Sequence, residues 1–115
     1  MKGSTLTGAV LLGAAALLGC SGADTMSDYP CPTGGTKLTY DNFGKSFFDR
    51  HCVYCHGGPD GYSSRAFTTV DTIRSQRERI FANAAAGNTS MPPGPDDPPE
   101  PERAELAEWL ACGAP

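Results

Sequence analysis

Five consecutive residues, Cys52-Val53-Tyr54-Cys55-His56, have the types and order to do chemistry in this chain. Each of the two thiols can add across a vinyl group, giving two thioethers from a single turn of chain. The imidazole that follows directly then lies under the centre of whatever ring the thioethers hold. A neutral imidazole nitrogen is a good iron ligand. Covalent attachment of a c-type haem requires that order. Three other readings use the same residues. A zinc site needs four ligands, and the further candidates Cys31, Cys112 and His51 form no second paired knuckle. A thioredoxin-like dithiol wants a strand before the pair and a helix after it, whereas a helical pattern precedes this one and a Gly/Pro loop follows it. The third reading is coincidence, which only the rest of the chain can answer.

Met91 is the second candidate ligand. It stands in Asn88-Thr89-Ser90-Met91-Pro92-Pro93-Gly94, away from the apparent tether that holds Met26 and the leader that holds Met1. A thioether is a soft, neutral ligand for the sixth position on haem iron, and His/Met ligation raises the reduction potential. The prolines after it fix φ and remove donors, which stiffens the loop. The competing role is an apolar filler against the haem. An exposed proline-rich coil is a poor place for one.

Helices must position these groups. Tyr40, Phe43, Phe47 and Phe48 recur at helical spacing, with Asp41, Lys45, Asp49 and Arg50 opposite. They predict a helix from Tyr40 or Asp41 to Cys52, capped by Thr39 or Asp41. Gly44 inside it costs about 1 kcal/mol relative to alanine and marks the close approach of another backbone. The loop Gly57 to Ser64 follows, and a carbonyl there has to accept the second N–H of His56. A second helix is predicted from Thr68–Asp71 to Ala86, stopped by Gly87-Asn88, with Val70, Ile73, Arg77, Ile80, Phe81 and Ala84 along one side. Arg77 either reaches a haem propionate or is solvated beside Arg74 and Arg79. The last helix takes Asp97 as cap, Pro98 in its first turn and Glu100 at capping-box distance, and runs to about Cys112, where Gly113 stops it. Leu106, Trp109 and Leu110 form its apolar stripe, with Glu100, Glu102, Arg103, Glu105 and Glu108 facing water.

The chain's beginning reads as an export signal. Met1-Lys2 precedes an apolar run from Leu6 to Leu18 that ends in Leu17-Leu18-Gly19-Cys20. The run is too short for a confident membrane span. Its ending is similar to a bacterial lipobox, which divides the chain into a lipoprotein signal peptide (1–19), a flexible tether from an acylated Cys20 (20–38) and a folded domain (39–115). An ordinary signal peptide cut nearby, with Cys20 incidental, is the alternative. Ser21 lacks the aspartate that retains some lipoproteins in the inner membrane, which favours the outer one. Loss of Lys2 with the signal deepens the formal net charge from −4 to −5. That excludes a nucleic-acid partner, which needs a basic surface. Of the five cysteines, Cys20 goes to lipid and Cys52 and Cys55 to haem. Cys31 and Cys112 remain, as a disulfide in an oxidising compartment or as two free thiols. Closing so long a loop is worth roughly 4 kcal/mol.

Over residues 39–112 the chain resembles the cytochrome c family. The resemblance rests on the Cys52/Cys55/His56 motif, on Gly44 and Phe48 eight and four positions before Cys52, on Leu106 and Trp109 three apart in the last helix, and on Met91-Pro92. It implies a small all-α bundle of three to four helices around one covalently attached haem c. In that arrangement Gly44 and Phe48 meet the last helix at Leu106 and Trp109, and Tyr54 covers part of the haem edge. His56 is the proximal ligand and Met91 the distal one. The chain between His56 and Met91 is short for the family, so the haem is more exposed. The expected function is single-electron transfer between redox partner proteins by a monomer that is no enzyme, lipid-anchored on the periplasmic side of a bacterial membrane. Two other functions remain. One is a haem-based ligand binder or sensor with an open or displaceable sixth position. The other is a haem-free lipoprotein with Cys52 and Cys55 joined as a disulfide.

Overall fold

The computed structural model describes residues 22–58, 65–95 and 97–115. The signal segment 1–19, Cys20 and most of the glycine-rich loop after His56 lie outside the described residues. Five α-helices carry the fold: α1 (Lys45–His51), α2 (Val53–His56), α3 (Val70–Ser75), α4 (Arg77–Ala84) and α5 (Glu100–Ala111). Among the described residues there is no strand.

A π-helical turn, Tyr40–Gly44, leads into α1. Thr39 caps it: its hydroxyl accepts from Asn42 N at 3.1 Å while Asn42 Oδ1 accepts from Thr39 N at 2.7 Å. This is a capping box with asparagine in the usual glutamate position. Thr39, rather than Asp41, is therefore the cap. At Cys52 the backbone leaves helical geometry (φ −124°, ψ −45°), which separates α1 from the single turn of α2 that carries Cys55 and His56. The predicted second helix is likewise two, broken at Gln76 (φ −112°, ψ 5°).

Helix α5 differs from expectation at its start. Pro99 is the N-cap, and the Asp97 side chain makes no capping bond. The acidic first turn, Glu100 and Glu102, still complements the helix dipole. Its end is as read from Gly113, which has φ +92°. Ala114 N donates to Trp109 O at 2.8 Å and Gly113 N to Leu110 O at 3.0 Å. Those two bonds make a Schellman ending, whose left-handed residue glycine adopts at little cost. The tail then turns back, and the Pro115 carbonyl accepts from Trp109 Nε1 at 3.1 Å and Tyr40 N at 2.7 Å.

The core sits where α5 crosses the first helical segment. Trp109, Leu106, Leu110, Phe47, Phe48, Phe81 and Ile73 are fully buried. Phe43 and Phe48 flank Trp109 with ring centroids 6.0 and 6.2 Å away. Gly44 is the contact point. A Cβ built there would stand 2.6 Å from Trp109 Cζ2 and 2.7 Å from Cη2. The predicted close approach is thus real, but a tryptophan ring makes it, not a backbone.

Two expectations are corrected here. Residues 22–38 are not a flexible tether. Asp24 bonds Asn88 through its N and O (3.1 and 2.8 Å) and Gly87 N through Oδ2 (2.8 Å). Tyr29 packs on Phe81 at 5.6 Å, Thr36 donates to Glu108 at 2.6 Å, and Cys31 is disulfide-bonded to Cys112. Small polar residues that look like linker act here as hydrogen-bonding partners for Gly87 and the Asn88 side chain, just past α4. Arg103 is the second correction: it is buried, not facing water.

In the first turn of α5, Glu102 ties α1 down through Arg50 (3.1 Å) and His51 (2.9 Å). Partial burial pushes the Glu102 carboxyl up, but bonds and charges from His51 and Arg50 outweigh this and hold it below its usual value. Its stabilising effect is therefore complete above the ordinary glutamate pKa of about 4.3 and is lost as pH falls through the lowered folded value. Thermal melts of Glu102→Gln and wild type should differ by about 0.2–1 kcal/mol near neutral pH and converge below about pH 4. At the helix crossing, Gly44→Ala should destabilise by about 1–3 kcal/mol because the ring has no room to retreat. Equilibrium denaturation of the haem-loaded protein checks this.

Candidate haem site

One cavity of about 470 Å³ collects the candidate residues. Its wall includes Cys52, Cys55 and His56 on the α1–α2 side and Met91, Pro92 and Pro93 on the other. Phe47, Phe48, Phe67, Ile80 and Ala84 complete the apolar part. The volume falls within the roughly 300–1,000 Å³ of small-molecule and cofactor sites.

The proximal side is built from α2 outward. His56 Nδ1 donates to the Arg65 carbonyl at 2.8 Å, which leaves Nε2 with its lone pair free. Phe67 stacks on the imidazole at 4.4 Å and 22°, and itself meets Phe48 edge-on at 5.7 Å. The backbone closes the same loop, with Phe67 N donating to His56 O at 2.8 Å. Ring tautomer and ring plane are thus both set by the segment just after the glycine-rich loop. Such an outer partner is the usual device for a histidine ligand.

Cys52 and Cys55 are free thiols. Burial pushes the Cys52 thiol up to about 12, against a smaller opposing pull from the Arg103 charge. Among the described residues no group of three or more His, Cys, Asp or Glu side chains is placed to hold a metal ion.

The distal side is a strap. Met91 N donates to Asn83 O at 2.8 Å, and the Met91 carbonyl accepts from Arg103 Nη1 at 2.9 Å. Ser90 Oγ adds bonds to Asn83 O and Oδ1 at 3.2 and 3.0 Å. Both peptide groups beside the Met91 Cα are therefore held, while the residue is 44% exposed.

The donor set suits a haem held by two thioethers: two free thiols one helical turn apart, an imidazole with a free nitrogen, and a thioether across an apolar slot. Comparison with known families agrees. The model of the family described as cytochrome c oxidase, cbb3-type, subunit III matches residues 42–110, which include all four of these side chains. The chain belongs to this family. It is a c-type cytochrome, and with the family comes a covalently attached haem c. Neither the curated proteins nor the solved structures gave a match.

Other expected residues of the cytochrome find their places around this slot. Gly44, Leu106 and Trp109 form the helix crossing behind Phe48, which bridges core and cavity. Tyr54 is 82% exposed and lies outside the cavity wall. Arg77 is exposed and lies outside it too, whereas Gln76, Arg79 and Arg65 line it. Sequence reasoning missed Phe67, Asn83 and Arg103. The last was readable, because Arg103 is three positions before Leu106 and seven before Leu110 on the same helical face.

If Cys52 and Cys55 each hold the haem, denaturing gels stained for haem should show it retained by Cys52→Ser and by Cys55→Ser. The double variant should lose it.

Proposed function

We propose that this cytochrome is an exported single-electron carrier, lipid-anchored through Cys20 on the periplasmic side of a bacterial membrane, with His56 and Met91 as axial ligands. The observation that carries the reading is the pairing of His56, its Nδ1 committed to Arg65 O, with Met91 across one apolar cavity. The haem supplies the redox-active iron. The chain's residues do the rest. Cys52 and Cys55 fix the ring in place, His56 offers Nε2, and Met91 offers a neutral sulfur that favours a high potential. Phe47, Phe48, Phe67 and Ile80 exclude water from one side, which also favours the less charged, reduced state. With both axial positions filled by side chains, no site is left for a substrate, so the role is transfer rather than catalysis.

The partners are redox proteins, and the family description names an oxidase subunit, so a larger electron-accepting assembly is one such class. The chain's acidic balance suits a basic partner surface. No helix of the described residues is long and apolar enough to cross a membrane, and in this reading attachment is through lipid on Cys20. The outer membrane is the favoured location on the grounds of Ser21, and the domain is taken to act as a monomer.

One observation favours a second reading, in which the sixth position opens to an external ligand: Met91 is 44% exposed. Spectra of the exported protein, oxidised and reduced, with an intact mass on the same sample, decide between them. The carrier predicts a mass raised by one haem, a low-spin spectrum and a methionine-to-iron charge-transfer band that Met91→Ala abolishes. A haem-bearing protein without that band, binding carbon monoxide readily when reduced, would establish the open site instead.

A further inference from the structure

Arg103 is the least expected buried group in the molecule. Only 4% of it is exposed, and it pairs with no carboxylate among the described residues. Its Nη1 donates to three carbonyls: Ala84 at 2.7 Å, Met91 at 2.9 Å and Asn88 at 3.0 Å. Nε donates to Pro98 O at 3.2 Å, and Nη2 is buried with no protein partner. The residue's own carbonyl accepts from Ala86 N at 3.0 Å. Among the described residues Ala86 is one of two non-glycine residues with positive φ (+52°), a left-handed conformation that is unfavourable for an L-residue. The whole strap from Ala84 to Met91 is thus fastened, through one side chain and one carbonyl, to a single position on α5.

A lone buried cation is expensive to keep for packing alone, and an apolar residue of similar volume commonly serves stability as well or better. The strap carries Met91. We propose that Arg103 is the positioning residue for the distal ligand: it clasps the Ala84–Met91 strap to α5 so that the Met91 sulfur stays over the iron, while its charge favours the reduced state. This rests on Met91 being the ligand. The Arg103 charge stands 2.9 Å from the carbonyl of Met91, a residue of the cavity wall.

The test uses the exported, haem-loaded protein and four variants: Arg103→Met, Arg103→Lys, Met91→Ala and, as a destabilised control, Thr39→Ala. Imidazole is titrated into each oxidised protein as a competitor for the sixth position, and the methionine band and midpoint potential are recorded. Arg103→Met should bind imidazole at least tenfold more tightly than wild type, with a weakened band. Arg103→Lys keeps the charge but cannot reach four carbonyls. It should bind imidazole at least threefold more tightly and show a potential above that of Arg103→Met. Thr39→Ala, destabilised at the cap of the π-helical turn with no bond to the strap, should bind imidazole as wild type does. Affinity and band within twofold of wild type in Arg103→Met, whatever its melting temperature, would overturn the proposal. If Arg103→Met does not fold, Arg103→Lys decides by the same criterion. Wild type lacking a methionine band, with Met91→Ala unchanged, would instead remove the ligation reading and the proposal with it.

Discussion

The contact between Trp109 and Gly44 is the constraint on which the remaining structure depends. The indole lies so close to the Gly44 Cα that a methyl group has no place between them. That distance sets how near α5 comes to the segment entering α1. It therefore sets where Phe47 and Phe48 point. Those rings pass the geometry on to the cavity, since both belong to the core and to its wall. Indole Nε1 is bonded to the Pro115 carbonyl, so the ring buries its large apolar surface without stranding its donor. One aromatic side chain thus fixes the crossing, the tail and the back of the haem slot together.

Around that crossing the cytochrome has two unequal walls. The proximal wall is short-range and rigid: α2 follows directly from α1, and Arg65 and Phe67 hold the imidazole by a bond and a stack. The distal wall is a strap without regular structure, held at its peptide groups by Asn83 and Arg103. Met91 thus has a fixed backbone and lines the slot while remaining 44% exposed.

Much of this was legible in the residues. Cys52, Cys55 and His56 are chemistry at fixed spacing, and helical periodicity placed Phe47, Phe48, Leu106 and Trp109 in the core. Gly113 ended α5 because a left-handed residue there is almost a signature. What escaped had specific causes. The break at Gln76 has no proline or glycine to announce it. Asp97 satisfied the rules for a cap, but two following prolines moved the helix start onward to Glu100. Arg103 was assigned to water by its charge, although its spacing placed it with Leu106 and Leu110. Residues 22–38 read as linker because their composition is polar, and composition says nothing about partners such as Gly87 and Asn88 that stand far along the chain.

The slot is not a space beside the core. Phe47, Phe48, Phe67, Ile80 and Ala84 belong both to the buried cluster and to the cavity wall. A haem joined to Cys52 and Cys55 therefore completes the hydrophobic interior from the side that the helices leave open. For this cytochrome the cofactor is less a guest admitted to a finished room than a part of the frame on which the room is built.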